Sequence, residues 1–363
     1  MDMSIRFPGL GIEFEYVIRS FRINRLEISI YGLLAAAGML IGLAFMLLEA
    51  KRAKENLNQC LMTFIWSVLG GVIGARLFYA AFAWKLFKGD WLEVFRIDHG
   101  GLSIYGAILG AVIAVYLYCC VRKVIFAKMA DYAAIALVTG QMIGRWGDFF
   151  NRESFGEYTD WMFGMQLPLA SVRTSEVTSL MRENLVTMDG VSYVQVHPTF
   201  LYESIWCGLL LLVLLAYMRR KKFHGEIFMR YLAGYGFGRF FIEYLRTDNV
   251  VIRGVGISVS MLISATLFCV FGTMAAIERS MMKKREKLRK SRNETYYEEE
   301  HLSPEEEARE AIELASKLGK GATLEEKVEE ITESENEVGE KSTSEDAAEQ
   351  VSQSAAFDDM EKE

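Results

Sequence analysis

Seven runs of mostly apolar residues, each about 20 residues long, constrain the fold of this chain more than any other feature of its sequence. A helix of about 20 apolar residues is long enough to cross the hydrocarbon core of a membrane. The fourth and sixth runs are the weakest, because they carry internal charges. The sequence therefore predicts an all-α polytopic membrane protein with about seven transmembrane helices. The runs cover residues 27–48, 60–84, 101–121, 130–150, 199–218, 226–245 and 255–277.

The charges between these runs predict the orientation of the chain. Segments rich in Lys and Arg follow the first, third, fifth and seventh runs, whereas the other loops are mixed or acidic. Basic loops remain on the cytoplasmic side of a membrane, so we expect the N-terminus outside and the C-terminus in the cytoplasm. The first 25 residues lack the apolar core of a cleavable signal peptide, and we expect the first run to direct insertion.

Two regions on the outer side are expected to lie beyond the membrane. Residues 1–26 form an N-terminal outer segment that precedes the membrane domain, which we place at residues 27–277. Residues 151–198, within that domain, are too many for a turn. Two stretches of this loop, residues 162–174 and 191–197, have extended character. The loop therefore predicts a small outer subdomain.

The end of the chain differs in charge from the rest. Residues 278–363 begin basic and then become acidic, and the segment from Glu294 onward holds 24 acidic and 6 basic residues, a net charge of −18. The whole chain carries −7, so the preceding residues carry +11. A segment of this composition cannot bury an apolar core. We therefore expect a disordered acidic C-terminal tail in the cytoplasm.

The five cysteines all fall inside apolar runs, and no pair has the spacing of metal ligands. We interpret them as small apolar side chains of the helices rather than as nucleophiles. The sequence therefore predicts no metal and no other cofactor, and it holds no pattern typical of nucleic-acid binding. The cysteines are Cys60, Cys119, Cys120, Cys207 and Cys269.

Polar residues inside apolar runs are costly in a membrane, so each one needs a reason. With the predicted orientation, the unusual polar residues of this chain all map to the outer ends of the runs. Structural ion pairs would have no cause to collect on one side. The convergence predicts one site near the outer headgroup level, formed by Tyr31, His99, Arg145, Asp148, Asn151, Glu153, His197, Tyr202, Glu203, Arg239, Glu243 and Arg246.

The spacing of the arginines indicates an anion site. Arg239, Glu243 and Arg246 are separated by four and three residues, which places them on one helix face. Arg145 has Asp148 three residues further on. Arginine presents a planar fork that matches phosphate oxygens, so two arginines from different runs are able to clamp one phosphate diester. Snorkelling to the interface is an equal alternative for Arg246.

Three further residues are open to more than one interpretation. Arg76 lies deep in the second run, where a structural pairing is favoured. His99 is followed by Gly100 and Gly101, which allow a backbone or a lipid to approach closely. His197 precedes a proline, so it is either a site residue or only the start of the fifth helix.

At these residues the sequence resembles the prolipoprotein diacylglyceryl transferase family. The resemblance covers most of residues 27–277, and five ordered motifs are far more specific than any one of them. In one respect the chain departs from the family pattern, because Asp148 stands where the family usually has Asn. The motifs are IYGLL, HGGLSIYG, GRWGDFFNRESFG, HPTFLYE and GYGFGRFFIEYLR.

The resemblance implies an enzyme of the bacterial cytoplasmic membrane. Members of the family move the diacylglyceryl group of phosphatidylglycerol to a cysteine thiol, and glycerol phosphate leaves. The thiol belongs to the lipobox of a prolipoprotein that still carries its signal peptide. The partners implied are thus phosphatidylglycerol, the prolipoprotein signal peptide and membrane lipids. Because the substrate supplies the nucleophile, the enzyme needs no reactive cysteine of its own.

The resemblance also suggests roles for individual residues. We expect Arg145 and Arg239 to hold the phosphate, His99 to activate the thiol, and Glu243 to orient Arg239. Tyr31 is expected among the catalytic residues. The remaining residues are expected to bind substrate, namely Gly100, Gly101, Asp148, Asn151, Glu153, Gly156, His197, Glu203 and Arg246.

Other classes of membrane protein fit the sequence less well. A membrane transporter with an outward-facing anion or lipid site is the alternative, but a transport path should place polar groups at several depths, and the inner halves of the runs hold few. An intramembrane protease or a metal-dependent phosphatidyltransferase would need an HExxH motif, a serine motif or an aspartate array. None of these appears in the sequence.

Overall fold

The computed structural model describes residues 4–24, 26–84, 101–247 and 258–300, with side chains as far as 290. The chain divides into two compact units, Met1–Arg285 and Glu286–Glu363. All residues of the predicted outer site fall in the first unit. His99 and Gly100 are the two that lie outside the described residues.

Long helices dominate the first unit, and each of the seven apolar runs overlaps one of them. Within the described residues, five helices are long and apolar enough to cross a membrane: α1, α2, α3, α6 and the Val259–Lys290 part of α8. The protein is therefore a mostly helical, polytopic membrane protein. The helices are α1 (Ile30–Arg52), α2 (Leu57–Phe82), α3 (Ile104–Arg122), α4 (Phe126–Asn151), a short α5 (Ser179–Glu183), α6 (Thr199–Met218), α7 (Glu226–Leu245) and α8 (Val259–Glu300).

Local sequence explains where several helices begin and end. The Ser29 hydroxyl accepts a hydrogen bond from the Gly32 amide at 3.0 Å, which caps the start of α1. Helix α4 ends at Asn151, and the following residue, Arg152, has a left-handed φ of 54°. The buried Arg152 side chain donates to the Val17 carbonyl at 2.8 Å. The C-terminal end of α4 is thereby fastened to the N-terminal segment.

Small residues bring the helices into close contact. A Cβ atom on Gly74 of α2 would lie 2.4 Å from the Gly106 carbonyl oxygen of α3, and one on Gly70 would lie 2.6 Å from the Gly110 carbonyl oxygen. Larger side chains would hold the two backbones apart. Helices α1 and α4 approach in the same way at Gly42. These contacts fix the helices whose ends carry the site.

A five-stranded antiparallel sheet lies outside the helices, in the order β2-β1-β5-β7-β6. Strands β5 and β7 fall in the two stretches with extended character, and Met165 pairs with Val196. A separate hairpin joins β3 to β4. The strands are β1 (Ile5–Phe7), β2 (Ile12–Phe14), β3 (Ser20–Ile23), β4 (Leu26–Ser29), β5 (Met165–Pro168), β6 (Val186–Met188) and β7 (Val191–Val196).

The predicted class needs two corrections. The all-α prediction omits the sheet, in which Arg6 of β1 pairs with Gln166 of β5. Strands of three or four residues are too short to show a clear alternation. The predicted disorder of the tail is also wrong for residues 278–300, because α8 continues to Glu300. That segment is rich in Lys, Arg and Glu, which favour helix. Residues 301–363 lie outside the described part of the chain.

Candidate active site

Three arginines and three carboxylates meet where α4 and α7 end and α6 begins. Helix α4 supplies the first pair near its last turn, and α6 supplies its acidic residue within its first two turns. Helix α7 supplies the second pair, and the third arginine follows its last residue. We call this group the arginine–carboxylate cluster; it consists of Arg145, Asp148, Glu203, Arg239, Glu243 and Arg246.

Two of the carboxylates pair with an arginine of their own helix, as the spacing predicts. Arg145 Nη1 donates to Asp148 Oδ2 at 3.0 Å. Arg239 Nη2 lies 2.6 Å from Glu243 Oε2. Ser258 Oγ donates to the other oxygen of Glu243 at 3.4 Å. The predicted role of Glu243 in orienting Arg239 is therefore compatible with the geometry.

The third carboxylate, Glu203, connects the helices. Its Oε2 contacts Nε of Arg145, and its Oε1 contacts Nη1 of Arg239. Nη1 of Arg246 lies 3.8 Å from the same Oε1. Glu203 therefore contacts all three arginines of the cluster. Arg145 and Arg239, which belong to separate helices, therefore contact the same carboxylate.

Burial strengthens the electrostatic interactions among these charged side chains. The Glu203 and Glu243 side chains are 4% and 3% exposed, and those of Arg239 and Arg246 are 15% and 8% exposed. Charges taken out of water are tolerated when they are paired. The six side chains carry three positive and three negative formal charges. The cluster as a whole is therefore electrically balanced.

The position of Arg246 corrects one prediction. The spacing places it on the same helix face as Arg239, but α7 ends at Leu245, and Arg246 has extended backbone with a ψ of 146°. Its Nη2 instead donates to Ser154 Oγ at 2.9 Å. A Cβ on Gly156 would lie 2.7 Å from the Leu245 carbonyl oxygen. The 154–156 segment is thus fastened to the end of α7, and Gly156 is close-packed there.

Asn151 and Glu153 lie at the end of α4, beside the cluster. Asn151 Nδ2 donates to Glu153 Oε1 at 2.9 Å. Arg173, from the loop before α5, donates to the other Glu153 oxygen at 3.1 Å and also contacts Glu176. No local spacing singles out Arg173, because its partner Glu153 is 20 residues away. Its pairing connects the loop to the edge of the site.

Tyr31 reaches the same region from α1. A Cβ atom on Gly147 would lie 2.3 Å from Tyr31 Cδ2, so the ring rests against the α4 backbone beside Asp148. The electrostatic influence of Arg145, Asp148 and Glu153 extends to the Tyr31 hydroxyl. The structure therefore brings Tyr31 to the cluster, with a side of the residue still exposed.

A residue that the sequence analysis did not select also belongs to this region. The Tyr235 side chain of α7 lies near enough to Arg145 to interact with it electrostatically. Tyr235 stands one turn before Arg239, which is the single signal in the sequence that places it on that face. The spacing of residues within one helix does not predict a contact between α4 and α7.

His197 lies outside the membrane-spanning segments, at the junction of β7 and α6. Its Nδ1 is 3.1 Å from the Tyr202 hydroxyl. Its backbone carbonyl accepts from the Gly156 amide at 3.0 Å. Burial lowers the pKa of His197, against the opposing effect of Glu157. The ring is therefore neutral at pH 7, and its contacts tie the Gly156 segment to α6.

His99 and Gly100 lie outside the described residues, but Gly101 is described. Its φ is +75°, and a Cβ there would lie 2.4 Å from the Tyr79 ring. Its carbonyl accepts a hydrogen bond from Arg76 Nη1 at 3.0 Å. The favoured structural pairing of Arg76 is thus with a backbone carbonyl. This contact holds the end of the HGG motif against α2.

Comparisons with known proteins identify the family of the chain. A model of the family "Prolipoprotein diacylglyceryl transferase" matches residues 19–277. The chain is 37% identical over 234 residues to a phosphatidylglycerol–prolipoprotein diacylglyceryl transferase of Listeria innocua, covering 64% of this chain and 79% of that protein.

Two other relatives carry the same name. The Clostridioides difficile protein is 35% identical over 233 residues, covering 64% of this chain and 84% of its own length. The Finegoldia magna protein is 37% identical over 240 residues, covering 66% and 87%. The described motif residues from Tyr31 to Arg246 all lie within the range of the family match. The chain belongs to the prolipoprotein diacylglyceryl transferase family.

Proposed function

We propose that this protein transfers the diacylglyceryl group of phosphatidylglycerol to the lipobox cysteine of prolipoproteins, the first step of bacterial lipoprotein maturation. The family and its named relatives support this activity. The observation that carries the proposal is the convergence of Arg145 and Arg239, from two helices, on one point marked by Glu203. An anionic headgroup needs such a seat to bind in a defined orientation.

The reaction requires a thiolate to attack the glyceryl carbon that bears the phosphate ester. A carbon–sulfur bond forms, the carbon–oxygen bond to the phosphate breaks, and glycerol phosphate leaves with the electron pair. Charge gathers on the phosphate as the bond breaks. Guanidinium groups fixed in a buried site stabilise that charge without having to reorganise. Arg145 and Arg239 fill this role.

The thiol must lose its proton before or during the attack. A free cysteine has a pKa of about 8.5, so it needs a base or a cationic field. We assign proton removal to His99, because an imidazole titrates near neutral pH. His99 lies outside the described residues, but the adjoining Gly101 is held by Arg76. Tyr31, Asn151, Glu153 and Gly156 complete the outer side of the site.

The membrane arrangement is part of the proposal. All seven long helices cross the bacterial cytoplasmic membrane, with the N-terminus outside and the C-terminus in the cytoplasm. Helices α4 and α7 fall outside the set of five apolar helices. Their charges are largely paired, those of α7 with Glu203 at one end and around Glu226 at the other. Paired charges lower the cost of a polar helix in a membrane. The sheet then forms the outer subdomain.

One assay tests the activity. The purified full-length protein is placed in nanodiscs that contain labelled phosphatidylglycerol and is given a lipobox peptide. We expect the label on the peptide as a thioether, with release of glycerol phosphate. A matched peptide with serine in place of the lipobox cysteine should stay unmodified. Absence of label on the cysteine peptide, with folded protein, would refute the proposed activity.

A further inference from the structure

Glu203 is placed differently from the other two acids of the cluster. Asp148 and Glu243 each pair with the arginine on their own helix. Glu203 instead contacts Arg145, Arg239 and Arg246, which belong to other segments. Its carboxylate therefore lies at the point where the arginines from separate helices converge.

A phosphate clamped by Arg145 and Arg239 would need the same donors. Carboxylates and phosphates both present anionic oxygens to the arginine fork. Nη1 of Arg145 and Nη2 of Arg239 already face Asp148 and Glu243. The N–H groups that face each other across the helices, Nε of Arg145 and Nη1 of Arg239, face Glu203. The Glu203 carboxylate and a bound phosphate would therefore need the same N–H donors.

The net charge of the cluster also favours competition between the Glu203 carboxylate and a phosphate. Its six formal charges sum to zero, so a bound phosphate diester would leave one negative charge in excess. An unpaired charge in a buried site is costly, and neutralising one carboxylate removes the excess. Although Arg145 Nε lies beside it, no donor among the described residues is aligned for a hydrogen bond to Glu203 Oε2. Glu203 contacts arginines from both α4 and α7, so neutralising this acid releases N–H donors on both helices at once.

We propose that the Glu203 carboxylate and the lipid phosphate compete for one seat among the arginines, so that phosphate binding is coupled to uptake of a proton by Glu203. This inference rests on the proposed function, because it takes a phosphate lipid as the ligand. In the part of the chain that the structure describes, the charged or titratable groups around this seat include Arg145, Asp148 and Tyr235, then Arg239, Glu243 and Arg246, with Cys207 one turn along α6.

The test measures binding separately from transfer. Short-chain phosphatidylglycerol is titrated calorimetrically into the full-length protein in detergent, between about pH 6 and pH 8, in buffers of different ionisation enthalpy. We expect the wild-type affinity to rise as the pH falls, with about one proton taken up for each lipid bound. Binding without proton uptake would overturn the proposal, whether or not any variant folds.

Glu203→Gln assigns the proton to this residue. The amide keeps the size of the side chain but removes the competing charge. We expect it to tighten phosphatidylglycerol binding roughly fivefold or more at neutral pH, because more of the protein is then competent to bind. Proton uptake should disappear. Glu226→Gln, which removes a buried carboxylate paired with arginines elsewhere, should leave lipid affinity and proton uptake as in the wild type.

The outcomes separate this inference from the proposed activity. If Glu203→Gln binds phosphatidylglycerol no tighter and still takes up a proton, Glu203 is only a structural brace and the competition is refuted, even where label transfer is intact. If the wild type transfers no label but shows the expected binding change, the competition stands and the proposed reaction fails.

Discussion

The arginine–carboxylate cluster and the surroundings of Glu226 both bury an acid among arginines, yet they differ in how the acid is bonded. Glu226 is fully buried and accepts from the Tyr217 hydroxyl and the Lys222 amide, each at 2.7 Å. Arg230 and Arg279 also contact it and lie over the Tyr217 ring. Both oxygens of Glu226 therefore have directional donors.

Glu203 has a different environment. One of its oxygens has no aligned hydrogen-bond donor among the described residues, and its arginine partners come from separate segments. The difference teaches that buried arginines are not equivalent. Those around Glu226 have the contacts of a structural network that joins α6, α7 and α8. Those around Glu203 come from separate segments and meet at one carboxylate, which is the arrangement that our proposal of an exchangeable anion requires.

The largest effect in this comparison is expected from a substitution of Glu226. We expect Glu226→Gln to lower stability by about 3 kcal/mol or more, because it leaves the arginines and Tyr217 around an uncharged group. Thermal unfolding in detergent measures the loss. The turnover of the protein that remains folded should stay close to the wild type. A large loss of turnover with unchanged stability would reverse the two roles.

Arginine-to-lysine changes sharpen the comparison. Lysine keeps the charge but loses the planar fork. We expect Arg145→Lys and Arg239→Lys each to lower turnover tenfold or more, about 1.4 kcal/mol in the activation barrier. Label transfer under saturating phosphatidylglycerol measures the effect.

Arg279→Lys is the matched control for these variants, because Arg279 lies in the Glu226 network. Its turnover should remain within about twofold of the wild type, since a conservative change of a partly exposed ion pair has a small effect. Near-wild-type turnover in both Arg145→Lys and Arg239→Lys would assign those arginines to structure.

Asp148→Asn should have a smaller effect. The amide oxygen still accepts a hydrogen bond from Arg145, so the common requirement at the end of α4 is met. We expect turnover within about threefold of the wild type. Should the amide abolish turnover in a folded protein, this chain would need the charge of Asp148 itself, and the residue would join Glu203 as a titratable part of the site.

His197 gives the smallest expected effect. Burial lowers its pKa in the folded protein, so the folded state binds a proton less readily than the unfolded chain, where a histidine titrates near about 6.5. The stability is present above that pH and is lost as the pH falls through the lower folded pKa. Thermal unfolding of wild type and His197→Gln, compared across this range, should show a shallower acid loss in the variant.

Local spacing in the sequence predicts part of the site well. The pairs Arg145–Asp148 and Arg239–Glu243 lie within one helix, where separations of three and four residues bring side chains together. The prediction that both pairs lie on one side of the membrane also places them near each other. These inferences need no knowledge of how the helices pack.

Contacts between distant segments could not be predicted in the same way. Glu203 appears in the sequence only as one polar residue near the start of a run, and its bridging role depends on how α4, α6 and α7 pack. The pairing of β1 with β5 joins residues 6 and 166, and no local pattern specifies it. The sequence places Arg246 on the same helix face as Arg239, because the spacing of the two residues fits a helix. Spacing alone does not show that α7 ends at Leu245 and that Arg246 is extended.

The central claim is that Arg145 and Arg239 act on one phosphate, and a double-mutant cycle tests it most directly. Turnover is measured for the wild type, Arg145→Lys, Arg239→Lys and the double variant in nanodiscs. If both arginines hold one phosphate, the double change should raise the barrier by less than the sum of the single changes, with a coupling of about 0.5 kcal/mol or more. Strictly additive effects would contradict the claim, because they would show two arginines that act independently.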